Sequence, residues 1–172
     1  MRLALDAIDR SITWVVMVTS ITTLVTLFLV LFANTVMRYF GLGGITWAGD
    51  LARLGFPWMV MASAVLTAQA GRHIAVEVFV LVLPAWLRRW LLVIVQLLLA
   101  VGMALLAQES LAVVDATWRQ MLPVIGIPRA YAYMSMPVGL ALLGVTAVTT
   151  AIRIAVSPSA DLNVRSGAGD DT

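Results

Sequence analysis

The spacing of its charges constrains this chain more than any other feature. No charged residue occurs from Ser11 to Met37, from Leu54 to Gly71, from Trp90 to Gln108 or from Ala130 to Ile152. Those runs are 27, 18, 19 and 23 residues long. An α-helix rises about 1.5 Å per residue, so roughly 20 residues cross a hydrocarbon core about 30 Å thick. Lipid offers no partner to bare peptide groups, so a crossing segment must satisfy its own backbone as a helix. The pattern predicts an all-α, polytopic membrane protein with four transmembrane helices. The spans fall at about 12–37, 54–71, 90–108 and 130–152, within one membrane domain covering 1–157.

Composition excludes the soluble alternative. The chain is 62% hydrophobic and 12% charged, with a mean hydropathy of +0.99. Four such runs in 172 residues leave too little polar surface to cover them. All 11 cationic side chains are arginines, and they flank the runs. They read as membrane anchors meeting lipid headgroups, not as a nucleic-acid patch. Arg2 and Arg10 ahead of an apolar run resemble a secretory signal, but Asp6 and Asp9 dilute that charge. The run also far exceeds the 7–15 residues of a signal core, so a retained first span is expected.

The side chains rule out most chemistry. There is no cysteine, hence no disulfide framework, thiol nucleophile or thiolate metal site. His73 is the only histidine, which rules out a multi-histidine zinc site and two-histidine haem ligation within one chain. No glycine-rich phosphate loop, nucleophile elbow or zinc-protease motif is present. No catalytic residue, cofactor or metal is therefore expected, and the chain does not read as an enzyme. Coupled carriers keep ionisable groups at mid-membrane because such groups are costly there and are retained only for use. The four runs have none. Gln69, Gln96 and Gln108 are the strongest polar side chains in or beside the last three spans, and interhelix hydrogen bonding is their expected role.

Arginine counting gives an orientation. Arg2, Arg10, Arg72, Arg88, Arg89, Arg153 and Arg165 lie in the N-terminal segment, the 72–89 connection and the tail; Arg38, Arg53, Arg119 and Arg129 lie in the other two connections. Seven against four places both termini in the cytoplasm. Between spans two and three, the segment at about 74–87 is too short to cross a bilayer and reads as a short interfacial helix, with Pro84 and Trp86 near the headgroups. The connection 109–129, with Pro123, Gly126 and Pro128, reads as a helix end followed by a tight turn. The polar tail 158–172 reads as disordered.

In the spans themselves, Pro57 belongs to a first turn if its helix begins near Phe56, and lies in the interior if the helix begins before Asp50. Gly139 and Gly144 suit close helix contact. At the borders, Asp50 and Arg53 are spaced i, i+3 and His73 and Glu77 i, i+4, so each pair meets on one helix face. Structural anchoring is the expected role of both pairs, and a network shared with Arg38 would strengthen the first.

The order of these border residues resembles one family, the small (Q-type) membrane subunit of tripartite ATP-independent periplasmic (TRAP) transporters. Asn34-Thr35-Val36-Met37-Arg38-Tyr39 is similar to that family's Asn-x-x-x-Arg-Tyr ending of the first span. Trp47-Ala48-Gly49-Asp50-Leu51-Ala52-Arg53 resembles its Trp-x-acid-acid-x-x-Arg at the start of the second, with Gly49 in place of the first acid. Arg72-His73-Ile74-Ala75-Val76-Glu77 resembles His-Ile-x-Val-acid. Pro128 through Tyr133 to Pro137-Val138-Gly139 resembles the opening of the fourth span. The likeness runs from about residue 10 to 156.

The resemblance implies a scaffold subunit in a bacterial inner membrane. It would pack beside a large membrane subunit that moves an organic acid or similar solute by sodium symport, fed by a periplasmic solute-binding protein. Substrate and sodium sites would belong to the large subunit, in keeping with spans that lack ionisable groups. The outward connections 38–53 and 109–129 are then candidate docking surfaces. A self-sufficient small homo-oligomeric carrier is the alternative, and it calls for a mid-span carboxylate.

Overall fold

The computed structural model describes residues 2–70 and 85–156. Over these the chain forms α1 (Arg2–Tyr39), α2 (Ala48–Ala70), α3 (Ala85–Thr117), the short α4 (Ala130–Tyr133) and α5 (Ser135–Val156). Four segments are long and apolar enough to cross a membrane: Asp9–Tyr39, Ala48–Ala70, Arg89–Thr117 and Ala130–Val156. The last comprises α4 and α5. The protein is an all-helical, four-span membrane protein. Arg72, His73, Glu77, most of the expected interfacial segment and the polar tail lie outside the described residues. Ala85 onward already belongs to α3.

The helices overrun the charge-free runs. α2 starts six residues before Leu54, and α3 reaches nine beyond Gln108. Border charges mark the edge of the hydrocarbon, but they do not interrupt a backbone ladder that continues into the headgroup layer. At the end of α1 a glycine stops the helix instead. It closes on Gly41, whose φ of 72° is the left-handed conformation that glycine adopts without penalty. There Leu42 N–H donates to Met37 O at 2.9 Å and Gly41 N–H to Arg38 O at 3.2 Å. This paired closure satisfies the last carbonyls of the helix.

Because α2 begins at Ala48, Pro57 lies inside it. A proline has no N–H for the carbonyl four residues earlier, here that of Arg53. Pro137 does the same to Tyr133, and α4 and α5 part at Met134, between the two residues. Ser135 Oγ there donates to Ala132 O at 2.8 Å, so its hydroxyl is satisfied locally.

α1 packs chiefly on α2 and α3 chiefly on α5, while α2 against α5 joins the two pairs. Val16, Ala62 and Val65 form the buried centre, with Ile12, Leu66, Leu142 and Leu143 around it. Gly139 brings α5 close to α2: a Cβ there would stand 2.6 Å from Met61 Cε and 2.9 Å from Met61 Cβ. Gly144 faces α3 less tightly, its hypothetical Cβ lying 3.7 Å from Ala100 O and Met103 Cβ. Elsewhere large apolar side chains point outward, among them Phe28 and Phe32 on α1 and Leu98 and Val101 on α3. In lipid that exposure carries no penalty, so helix contact rests on close packing and polar links.

Candidate functional site

The two ends of the bundle carry its polar constellations. At one end, α1 and α2 are joined by a glycine-rich turn. Asn34 Oδ1 accepts the Ile45 N–H at 2.6 Å, so a side chain near the end of α1 holds the connection in place. Gly44, at φ 104°, lies against the Arg38 stem and Asn34 Oδ1, and a Cβ would meet them at 2.7 and 3.0 Å. Any side chain there would meet both strain and collision. Arg38 itself sits in the last turn of α1, where a cation suits the carbonyl end of a helix. Trp47 lies just before α2, half-exposed, and its carbonyl accepts Leu51 N–H at 3.0 Å.

Asp50 is the centre of this end. It is in the first turn of α2 and 2% exposed. Its Oδ1 accepts Arg53 Nη1–H at 3.1 Å. Its Oδ2 accepts the amides of Val124 at 2.8 Å and Ile125 at 3.1 Å. Those amides cap a tight hairpin between α3 and α4. Leu122 N–H donates to Ile127 O at 2.9 Å, Arg129 N–H to Gln120 O at 2.8 Å, and Met121 pairs with Pro128. Gly126, at φ 70°, turns the chain. A buried carboxylate thus fixes a loop 74 residues away in sequence. Arg38 is not among its partners.

Trp58 adds a second link, its indole N–H donating to Tyr131 O at 3.0 Å. The ring of Tyr131 packs on Trp118 with centroids 5.7 Å apart. Tyr39, Phe40, Trp47, Trp118 and Tyr131 are all substantially exposed at this end. That is the placement of an interfacial aromatic belt.

Two cavities open beside this assembly. A groove of about 670 Å³ runs between α1, α2 and the hairpin, lined by Thr19, Thr23, Thr26, Leu54, Trp58 and Pro128, among others. A smaller one, about 370 Å³, is lined by Arg53, Phe56, Pro57, Leu122, Arg129 and Tyr133, together with Ala132. Pro137 lies one turn further into the fourth span.

The other end has its own carboxylate. Asp9 on α1 is 8% exposed. Its Oδ2 accepts Arg153 Nη2–H at 2.8 Å, and its Oδ1 accepts the Thr149 hydroxyl at 3.1 Å. One turn along α1, Thr13 Oγ1 lies 2.7 Å from both Asp9 O and Gln69 Oε1. A single hydroxyl proton serves one of them at a time. These contacts tie α1 to α5 and α2. Among the described residues Gln96 and Gln108 make no comparable hydrogen bond.

The structure thus brings together Asp50 with Arg53 and Asn34 with the turn after Arg38, and it places Tyr133 beside Arg53. Sequence reasoning missed Asp9 with Arg153 and Thr149, the two hairpin amides, and Arg129. A usable signal existed for the first. In an even-numbered up-and-down bundle the start of the first span and the end of the fourth share one side. An acid and a base stand at those two places.

Residues 27–156 match the family described as tripartite ATP-independent periplasmic transporters, DctQ component. A Haemophilus influenzae protein provisionally named a TRAP transporter small permease protein is 28% identical over 116 residues, which is 67% of this chain and 70% of that protein. A second such protein of Haemophilus influenzae is 24% identical over 124 residues, 72% of this chain and 77% of the relative. The uncharacterized protein y4mM of Sinorhizobium fredii is 28% identical over 146 residues, covering 84% of this chain but 27% of that longer protein. No solved structure matches the chain significantly.

Proposed function

This chain belongs to the DctQ component family of the tripartite ATP-independent periplasmic transporters, and on that premise we propose that it is a scaffold subunit without catalytic or transport chemistry of its own. In this reading it packs beside a large permease subunit in the bacterial inner membrane. The pair carries out sodium-driven uptake of an organic acid or similar solute delivered by a periplasmic binding protein. The observation that carries the reading is the charge-free interior. From Ser11 to Met37, Leu54 to Gly71, Trp90 to Gln108 and Ala130 to Ile152 the chain offers no charged group to bind a coupling ion or an acidic solute. The broad exposed faces of α1 and α3 supply apolar area for a neighbouring membrane subunit.

With both termini in the cytoplasm, the Asp50 end faces the periplasm. The hairpin that Asp50 fixes, with Arg119 exposed on its rim, is then the docking surface for the binding protein. Rigid presentation lowers the ordering cost of association. Charge reversal at Arg119 is expected to weaken binding-protein affinity and uptake, leaving the assembled membrane pair intact.

Purification of the tagged chain from its native membrane in mild detergent, followed by mass analysis, tests the proposal. A stoichiometric large membrane protein supports it. A homo-oligomer that transports solute alone after reconstitution replaces it with a self-sufficient small carrier.

A further inference from the structure

We propose that the cavity between Arg53, Arg129 and Tyr133 is a binding site for the phosphate of a membrane phospholipid. The inference rests on the four-span membrane reading and not on the transporter assignment or on which side the termini face.

Charge comes first. Arg53 shares its charge with Asp50, which already accepts one N–H from it and two from the hairpin. Arg129 is different. Among the described residues its side chain makes no hydrogen bond or ion pair, although it is half-buried against the hairpin. With one carboxylate to two guanidiniums, the cavity has a net positive charge of one. Guanidinium groups are suited to phosphate because their planar donors engage two oxygens at once. Tyr133 lines the same space, and a tyrosine hydroxyl can donate a further hydrogen bond.

Depth comes second. Arg53 is the sixth residue of α2 and Arg129 immediately precedes α4, so both lie within about a turn and a half of the ends of their spans on the same side of the bundle. Trp47, Trp118 and Tyr131 mark the interfacial layer at this end. The rest of the lining is apolar: Phe56, Pro57 and Leu122. Phe56 is itself 57% exposed. A ligand with an anionic head and a hydrocarbon body matches a cavity with a cationic rim and an apolar wall. An acidic side chain from a protein partner would satisfy the rim and leave the apolar wall without a counterpart.

The full chain, stripped of lipid in detergent, is titrated with phosphatidylglycerol, phosphatidylethanolamine and diacylglycerol, and retained adducts are counted by native mass spectrometry. Arg129→Gln is the informative variant because that side chain makes no hydrogen bond or ion pair among the described residues. Arg119→Gln on the hairpin rim serves as the charge-matched control. The expected result is one retained phospholipid per chain, with either phosphate-bearing headgroup, and roughly tenfold weaker retention in R129Q, the scale of one lost hydrogen bond to a charged group. R119Q and the unmodified chain should agree. Retention by R129Q equal to that of R119Q would overturn the proposal, as would diacylglycerol binding as well as the phospholipids. So would an R129Q chain that keeps its lipid but no longer copurifies with a large membrane subunit, because the site would then belong to an acidic protein partner.

Discussion

Each end of this bundle is held by one buried aspartate, yet the two aspartates do different work. Asp50 reaches out of its helix to two loop amides and keeps Arg53 at its edge. Asp9 reaches across to Arg153 and Thr149 on another transmembrane helix. The first fixes a surface; the second fixes the angle and register between helices. In both cases polar bonds supply a specificity that apolar surfaces surrounded by lipid do not.

Removing each carboxylate breaks the comparison most directly. Asp50→Ala strands two amides beneath the hairpin and leaves Arg53 without its acceptor. Amide hydrogen exchange at Val124 and Ile125 is expected to speed up by at least about tenfold, with exchange on α5 unchanged. If protection persisted, the hairpin would be held by its own bonds and not by Asp50.

Gly139 tests the apolar counterpart of these links. Gly139→Ala places a methyl group against Met61 and is expected to cost about 1–3 kcal/mol as overpacking. Gly144→Ala meets only ordinary contacts and should be close to neutral. Thermal unfolding in detergent separates the two, and a shorter side chain at Met61 should restore much of the loss in the first.

Asp9→Asn keeps a group able to accept the Thr149 hydroxyl but removes the charge facing Arg153. Arg153 is 37% exposed, so solvent screening limits the effect to about 1 kcal/mol. Arg53→Gln should do less, within about 2 °C in melting temperature, because that side chain is 57% exposed. The smallest expected effect is the coupling between the two ends. Among the described residues they share no partner, so the losses from Asp9→Asn and Asp50→Ala should add to within about 0.5 kcal/mol. A larger coupling would mean that the ends communicate through α2 and α5.

Legibility in the sequence follows the range of each interaction. The four spans were legible because lipid imposes its condition on every residue of a run. The Asp50–Arg53 pair was legible because i, i+3 spacing on a helix is a local rule. The closure of α1 on Gly41 is equally local. Asp50 serving the amides of Val124 and Ile125 was not legible, since backbone amides carry no residue label and the contact spans more than 70 positions. Asp9 read only as a charge ahead of the first span, and its link to Arg153 spans 144 positions. The helices extend past the charge-free runs for a physical reason visible at Ala48 and Thr117: charge reports depth in the membrane, whereas backbone hydrogen bonding sets helix length.

The sequence by itself determined the solvent, the number of spans, the family and the absence of charge within the charge-free runs. Each follows from composition over a window or from residues in fixed order. Only the tertiary structure decided which carboxylate holds which element, that Gly139 and not Gly144 is the tight crossing, and that Arg53 and Arg129 face one cavity. Those outcomes depend on how four helices, equally content in lipid on most of their faces, settle against one another. That choice rests on a few close contacts and hydrogen bonds between residues far apart in the chain.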